Sequence, residues 1–370
     1  MTNRERALAI LYYQPYDKMP VVHFGFWDQT LLKWAQEGHI PRRDVKQHGR
    51  VAKKLGFDFD WGTSVSLSTG LRPGFQREVV KDFGDGTRHV RNGNGVTELE
   101  RDGATSIQQE ISHLLVDRAS WEAHYLPRLQ YSSARVPREK LLDLRVRFEK
   151  GRADKNRPVG IYIGSLYGCF RDWAGITGTS YIYADDGALY AEIVDTIGNL
   201  AVRVLEESLK LCAPGMFDFA HFWEDIACKS GPLAIPSVFR ALVGPHYRRI
   251  TDMLREYGVE IVSLDCDGCI DALVPVWLEN GVNTMFPIEV GTWEASIAPW
   301  REQYGRELRG VGGMNKNVFS RDFDAVDAEI ERLRPLIALG GYIPCPDHRI
   351  APDAKWENVA YYTKRMREEF

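Results

Sequence analysis

Asp265 and Asp267 stand two residues apart at the end of an apolar run, in the segment SLDCDG. In extended backbone alternate side chains share a face, so both carboxylates point one way and Cys266 the other. Carboxylates held that close either raise the pKa of one, making a general acid, or bind a cation together. A histidine from another strand suits both outcomes, and His348 in the Pro-bounded loop PCPDHRIAPD is placed to supply it. Glu224, in HFWED after another apolar run, is a further acid. The expected catalytic set is Glu224, Asp265 and His348, and the expected metal ligands are Asp265, Asp267 and His348. Structural duties compete with these: Asp267 can cap the next helix, and Glu224 can pair with Lys229. Cys266-x-x-Cys269 with Cys345-x-x-His348 forms a rival zinc set, weakened because Cys269 falls in the first turn of a helix.

Phe26, Trp27, Tyr167 and Trp223 also follow apolar runs and fit a pocket for an aromatic or other apolar small molecule. Arg171 suits a polar or carboxylate end of such a ligand, and Glu289 adds a polar group after a later run. His23, inside an apolar run, reads as a core or pocket-lining residue. No run is followed by a GxGxxG or GxxxxGK loop, which disfavours nucleotide chemistry.

The elements that must position these residues repeat one pattern: a short apolar run, a polar segment, then a stretch of helical period. The expected strands are Val21 to Gly25, Phe59 to Ser64, Val159 to Ile163, Phe217 to His221, Glu260 to Leu264, Thr284 to Ile288, Leu308 to Val311 and Gly341 to Ile343. Leu189, Ile193, Ile197, Leu200 and Val204 make one helical stripe, and Phe323, Val326, Ile330, Leu333 and Ile337 another that ends at Gly340. Between the second and third strands, alternation around Gly84-Asp85-Gly86 predicts an exposed β-hairpin, within an inserted hairpin and helical segment at about 72-150. Eight strands alternating with helices predict an α/β fold, a (β/α)8 TIM-type barrel in a single domain over 1-370, with a doubly wound open sheet as runner-up. In such a barrel reactive groups gather at the C-terminal ends of the strands, where the residues above fall.

The chain has 370 residues, 47 basic and 51 acidic side chains interspersed along it, and a net charge of -4. That balance carries no electrostatic footprint for nucleic acid. No apolar run approaches the ~20 residues of a membrane span, and the N-terminus has no signal-peptide pattern. Six scattered cysteines do not make a disulfide framework, so a reducing cytoplasm is expected.

Four segments carry a resemblance: the opening NRERALAIL before MPVV, FWEDIACKSGPLAIPSVF, SLDCDG, and the closing GGYIPCPDHRIAPDAKWENVAYY. Together they resemble the uroporphyrinogen decarboxylase superfamily over nearly the whole chain, and within it the corrinoid-dependent methyltransferases. The resemblance implies a barrel of that kind, with its site at the strand C-termini. HFGFWDQTLLKW stands where true decarboxylases carry an RQAGRY-like segment, which argues against porphyrinogen decarboxylation. Coenzyme-M methyltransferases of the family hold zinc with His-x-Cys and a Cys in the last loop. Asp265-x-Asp267 and His348 look to stand in those places, and imply a harder, more Lewis-acidic zinc site. The chain is thus similar to the first methyltransferase of O-demethylase systems. Such an enzyme takes a methyl group from a small donor, here favoured as the methyl ether of an aromatic compound, to a cobalt(I) corrinoid (cobalamin) on a separate partner protein. A second copy of the chain, as a homodimer, is a further partner to consider. The alternatives are a decarboxylase-like lyase on a small carboxylated substrate, with Arg171 as anchor, and a non-enzymatic binding barrel.

Overall fold

The computed structural model describes residues 1–103 and 108–370. Along the chain the strands are β1 (Val22–His23), β2 (Phe59–Asp60) with its continuation β3 (Val65–Ser66), β4 (Glu78–Asp82), β5 (Thr87–Arg91), β6 (Val96–Arg101), β7 (Gln109–His113), β8 (Gly160–Gly164), β9 (Phe219–Trp223), β10 (Ala227–Cys228), β11 (Gly231–Pro232), β12 (Ile261–Asp265), β13 (Thr284–Phe286), β14 (Arg309–Met314) and β15 (Tyr342–Pro346). Seven of them, β3, β8, β9, β12, β13, β14 and β15, form one sheet in that spatial order, every pair parallel. β1 pairs in parallel with β2. The ring closes where Phe26, just past β1, bridges Ile350, just past β15. There the Trp27 N–H donates to the Ile350 carbonyl at 3.1 Å and the Ile350 N–H to the Gly25 carbonyl at 3.0 Å. Every expected strand is a wall of this (β/α)8 barrel.

The second wall departs from the expected Phe59 to Ser64 run, because pairing stops at Asp60 and resumes at Val65. The Gly62 N–H turns back to the Asp60 carbonyl at 2.8 Å, which breaks the ladder; the Ser64 N–H then rejoins the sheet at the Gly160 carbonyl, 2.8 Å away.

Helices cover the outside. Asp186 caps the helix Gly187–Leu209 by accepting from the Leu189 N–H at 2.8 Å, and the stripe Leu189, Ile193, Ile197, Leu200, Val204 is buried as its period requires. In the helix Phe323–Ala338 the stripe holds from Val326 to Ile337, but Phe323 is exposed and stacks on Tyr361. Among the described residues no helix is long and apolar enough to cross a membrane.

The insertion is larger than one hairpin. β4 to β7 form a four-stranded antiparallel sheet, with Gly84 and Gly86 in left-handed backbone at the expected turn. Phe75 packs on Tyr125, which packs on Trp173, and the Tyr125 hydroxyl donates to the Asn94 carbonyl at 3.0 Å. These contacts hold the sheet against the helix Gly168–Asp185, which starts at the end of β8 where the site lies.

Candidate active site at the barrel mouth

Asp265 is the last residue of β12, opposite Trp223 of β9 and Phe286 of β13. Its carboxylate has no hydrogen-bond partner among the described residues. Burial pushes its carboxyl well above the usual range, and Asp267, Asp225 and Glu289 push the same way against Arg349. Asp267 follows on the same strand end; its Oδ2 lies 3.5 Å from Nε2 of His348, and its Oδ1 is buried without a partner. The sequence spacing thus brings Asp265, Asp267 and His348 to one mouth. Among the described residues, however, no three His, Cys, Asp or Glu side chains converge closely enough to hold a metal ion. The expected zinc ligand set, Asp265, Asp267 and His348, is therefore not assembled in this arrangement. The rival set of Cys266, Cys269, Cys345 and His348 does not converge either among the described residues.

An aromatic belt lines the same mouth. Trp27 stacks on His348 with centroids 5.7 Å apart, and His348 meets Phe24 edge-on at 5.5 Å. Phe24 meets Phe286 at 4.5 Å, Phe286 meets His221 at 5.8 Å, and His221 lies 6.2 Å from Tyr162. Burial lowers His221 to about 4, so it is neutral near pH 7, with Nδ1 2.7 Å from the Ser263 hydroxyl. Trp27 and Trp223 stand at the rim, half-buried. Phe26 and Tyr167, expected to line the pocket, belong instead to the core: Phe26 packs on Trp34 and Phe57, and Tyr167 on Phe170 and Phe239 with its hydroxyl bonded to that of Tyr190. His23 is buried as expected.

Glu224 is fully buried, and its carboxylate is spent on structure. It accepts the Ser165 hydroxyl and the Leu166 N–H at 2.8 Å, the Tyr167 N–H at 2.9 Å, the Gly168 N–H at 2.6 Å, and the Tyr247 hydroxyl. Those N–H groups open the helix Gly168–Asp185, so Glu224 satisfies its unpaired first turn from another strand. The expected acid is a brace, because every lone pair it could offer a substrate is already taken. Gly168 is required for this approach: a Cβ there would lie 1.9 Å from the Glu224 carbonyl oxygen.

Arg171 is likewise committed. Its Nη1 lies 3.0 Å from Asp172, and its Nη2 donates to the Asp225 carboxylate at 3.1 Å and the Asp225 carbonyl at 2.8 Å. Burial raises Asp172 to about 6 against the pull of Arg171. Asp225 holds left-handed backbone, φ +48°, which costs a non-glycine residue about 1 kcal/mol. Glu289 accepts the Gly268 N–H at 2.6 Å and the Thr292 hydroxyl at 2.9 Å, so it shapes the Asp267 loop from the next strand. Arg349 lies over the Trp27 ring at 5.9 Å.

Phe24, Asp225 and Asp347 are legible in the sequence as residues at the strand ends, but the sequence assigns Asp225 and Asp347 no role of their own. Asp347, fully buried, receives the Gly291 N–H at 2.8 Å and the Lys316 N–H at 3.1 Å, and so sets the loop that presents its neighbour His348. The motif PCPDH already carried that signal, since a buried Asp beside a loop histidine demands donors.

No family model matches the chain, and no curated protein resembles it in sequence. Solved structures do. A methyltransferase from Methanosarcina mazei superposes with a TM-score of 0.60 at 16% identity, covering 100% of this chain and 99% of that one. A B12-independent methionine synthase from Shewanella sp. W3-18-1 gives 0.47 at 10% identity, over 95% of this chain and 99% of that one. The first likeness shows a shared fold along the full length.

Proposed function

We propose that this protein is a methyltransferase that takes a methyl group from a small donor, a methyl ether of an aromatic compound, to a cobalt(I) corrinoid on a partner protein, in the cytoplasm. The observation that carries this is Asp265: an unpartnered carboxyl at the end of β12, between Trp223 and Phe286, whose hold on its proton is strengthened by burial. An ether oxygen is a poor leaving group, and a proton delivered as its C–O bond breaks removes that barrier. The C–O electron pair stays on oxygen, which takes the Asp265 proton and leaves as a hydroxyl compound. The acceptor supplies the electron pair for the new bond to the methyl carbon. The belt from Trp27 to Tyr162 holds the donor ring and excludes water. The strand-end motifs and the fold shared with a methyltransferase support the same reading. The lyase alternative loses its anchor, since both arms of Arg171 are occupied.

The test uses purified protein with free cob(I)alamin and a panel of methoxylated arenes and methylated amines, read by the absorbance of methylcobalamin. Methylation from an ether, abolished in Asp265→Asn, is the expected result. Methylation from no donor in the panel, or an undiminished rate in Asp265→Asn, would overturn the proposal.

A further inference from the structure

Beside the mouth, two cysteine-bearing segments run against each other. The first is Ile226 to Cys228, which enters the β10–β11 turn, and the second is Cys266 to Cys269, which carries Asp267. The Ile226 N–H reaches the Cys266 sulfur at 3.3 Å, and the Cys269 N–H donates to the Cys228 carbonyl at 2.9 Å. Between them Gly268, at φ +87°, lies so close that a Cβ would sit 2.6 Å from the Ala227 carbonyl carbon and 2.8 Å from the Cys228 nitrogen. A direct N–H to carbonyl bond puts the two Cα atoms about 5–6 Å apart, inside the span that a disulfide bridges.

We propose that Cys228 and Cys269 form a reversible intramolecular disulfide, a redox modification site that ties the β10–β11 turn to the Asp267 loop. Their surroundings divide the roles. Cys228 is exposed, and its sulfur lies 3.2 Å from the Ser230 hydroxyl, which with nearby backbone groups holds the thiol below its usual range. It is the sulfur that meets an oxidant first. Cys269 is half-buried and its side chain has no hydrogen bond among the described residues, which leaves it free to attack. Cys266, the nearest competitor, is buried and engaged, and burial pushes its thiol up.

The chemistry balances with a peroxide as oxidant. The Cys228 thiolate attacks one peroxide oxygen and the O–O bond breaks; the departing hydroxide takes up the proton the thiol had shed, and the products are a sulfenic acid and water. The Cys269 thiol then attacks the Cys228 sulfur, the S–O bond breaks, and a second water leaves with the thiol proton. In all, two thiols lose two hydrogens and two electrons, and hydrogen peroxide becomes two waters. A dithiol reductant reverses it. The bond would fix the loop in which Asp267 faces His348 and Gly268 binds Glu289. It stands whether or not the mouth transfers methyl groups.

Peptide mapping tests it. The full chain is treated with hydrogen peroxide, alkylated in denaturant and digested without reductant. The expected product is a cross-linked peptide pair holding Cys228 and Cys269, two hydrogens lighter than its parts, cleaved by dithiothreitol and absent from Cys228→Ser and from Cys269→Ser. Thermal melts of both variants, matching the reduced wild type, show that loss of the cross-link is not loss of fold. Cys228 over-oxidised while Cys269 remains alkylated, both thiols alkylated, or either cysteine joined to another partner or another chain would each overturn it.

Discussion

At the level of single side chains, Asp265 sets stability against use. The folded chain holds its proton more tightly than the unfolded chain does, because burial and three neighbouring carboxylates oppose its charge. Ionising it therefore costs stability, and that cost grows as pH rises above the ordinary carboxylate value near ~3.9. Asp265→Asn carries no such cost. The variant should be more stable than wild type at pH 8 by about 1 kcal/mol or more, with the gap closing below pH ~4, as read by urea unfolding across pH. The same substitution should abolish methyl transfer, so a residue whose removal helps the fold and harms the reaction is held there for the reaction. A variant equal to or weaker than wild type at pH 8 would show that Asp265 has a partner in solution. Two-residue spacing made Asp265 and Asp267 legible, since alternation fixes their common face. Spacing says nothing of which partners arrive from distant strands, and so Arg171 and Glu224 were readable as polar residues at the mouth but not as ones already taken.

Elements are joined by such buried partners. Glu224, just past β9, satisfies the unpaired N–H groups of a helix that begins after β8, and this couples two neighbouring βα units. Glu224→Gln turns an amide toward donors that need an acceptor. It should cost about 3–5 kcal/mol in denaturant unfolding and, under the proposed mechanism, leave unchanged the shape of the pH–rate profile. A shifted profile would return Glu224 to the chemistry. Gly168→Ala forces the same strand and helix apart and should destabilise comparably, because the obstruction is backbone and cannot swing away. Strand positions were legible because runs such as GIYIG and IVSLD are buried on both faces, as parallel strands must be. The interrupted second wall was not, since its break depends on a turn at Gly62 with no apolar signature. The insertion showed only its Gly-Asp-Gly turn, because β4 and β7 are almost wholly exposed and carry little of the alternation that marks a core.

For the whole molecule, the seam between Phe26 and Ile350 turns a sheet into a ring. Ile350 is fully buried there, and its carbonyl also accepts the Thr30 hydroxyl at 2.8 Å. Ile350→Ala should cost about 2–5 kcal/mol of stability, against roughly ±0.5 kcal/mol for Ile235→Ala at an exposed position, both by chemical denaturation. Equal effects would mean that the seam contributes nothing special. The seam also decides when the site exists. Thr30 and Ile350 are 320 positions apart, so at about 5–20 residues per second a ribosome needs tens of seconds between making one side and the other. During that interval β1 waits with one edge bare. At two residues it is too short to template pairing with a stranger. His348 and Phe24 meet only when the two sides join, so a nascent or truncated chain carries Asp265 without its mouth. The mouth is thus the last part of the barrel to come together, after both sides of the seam have been made.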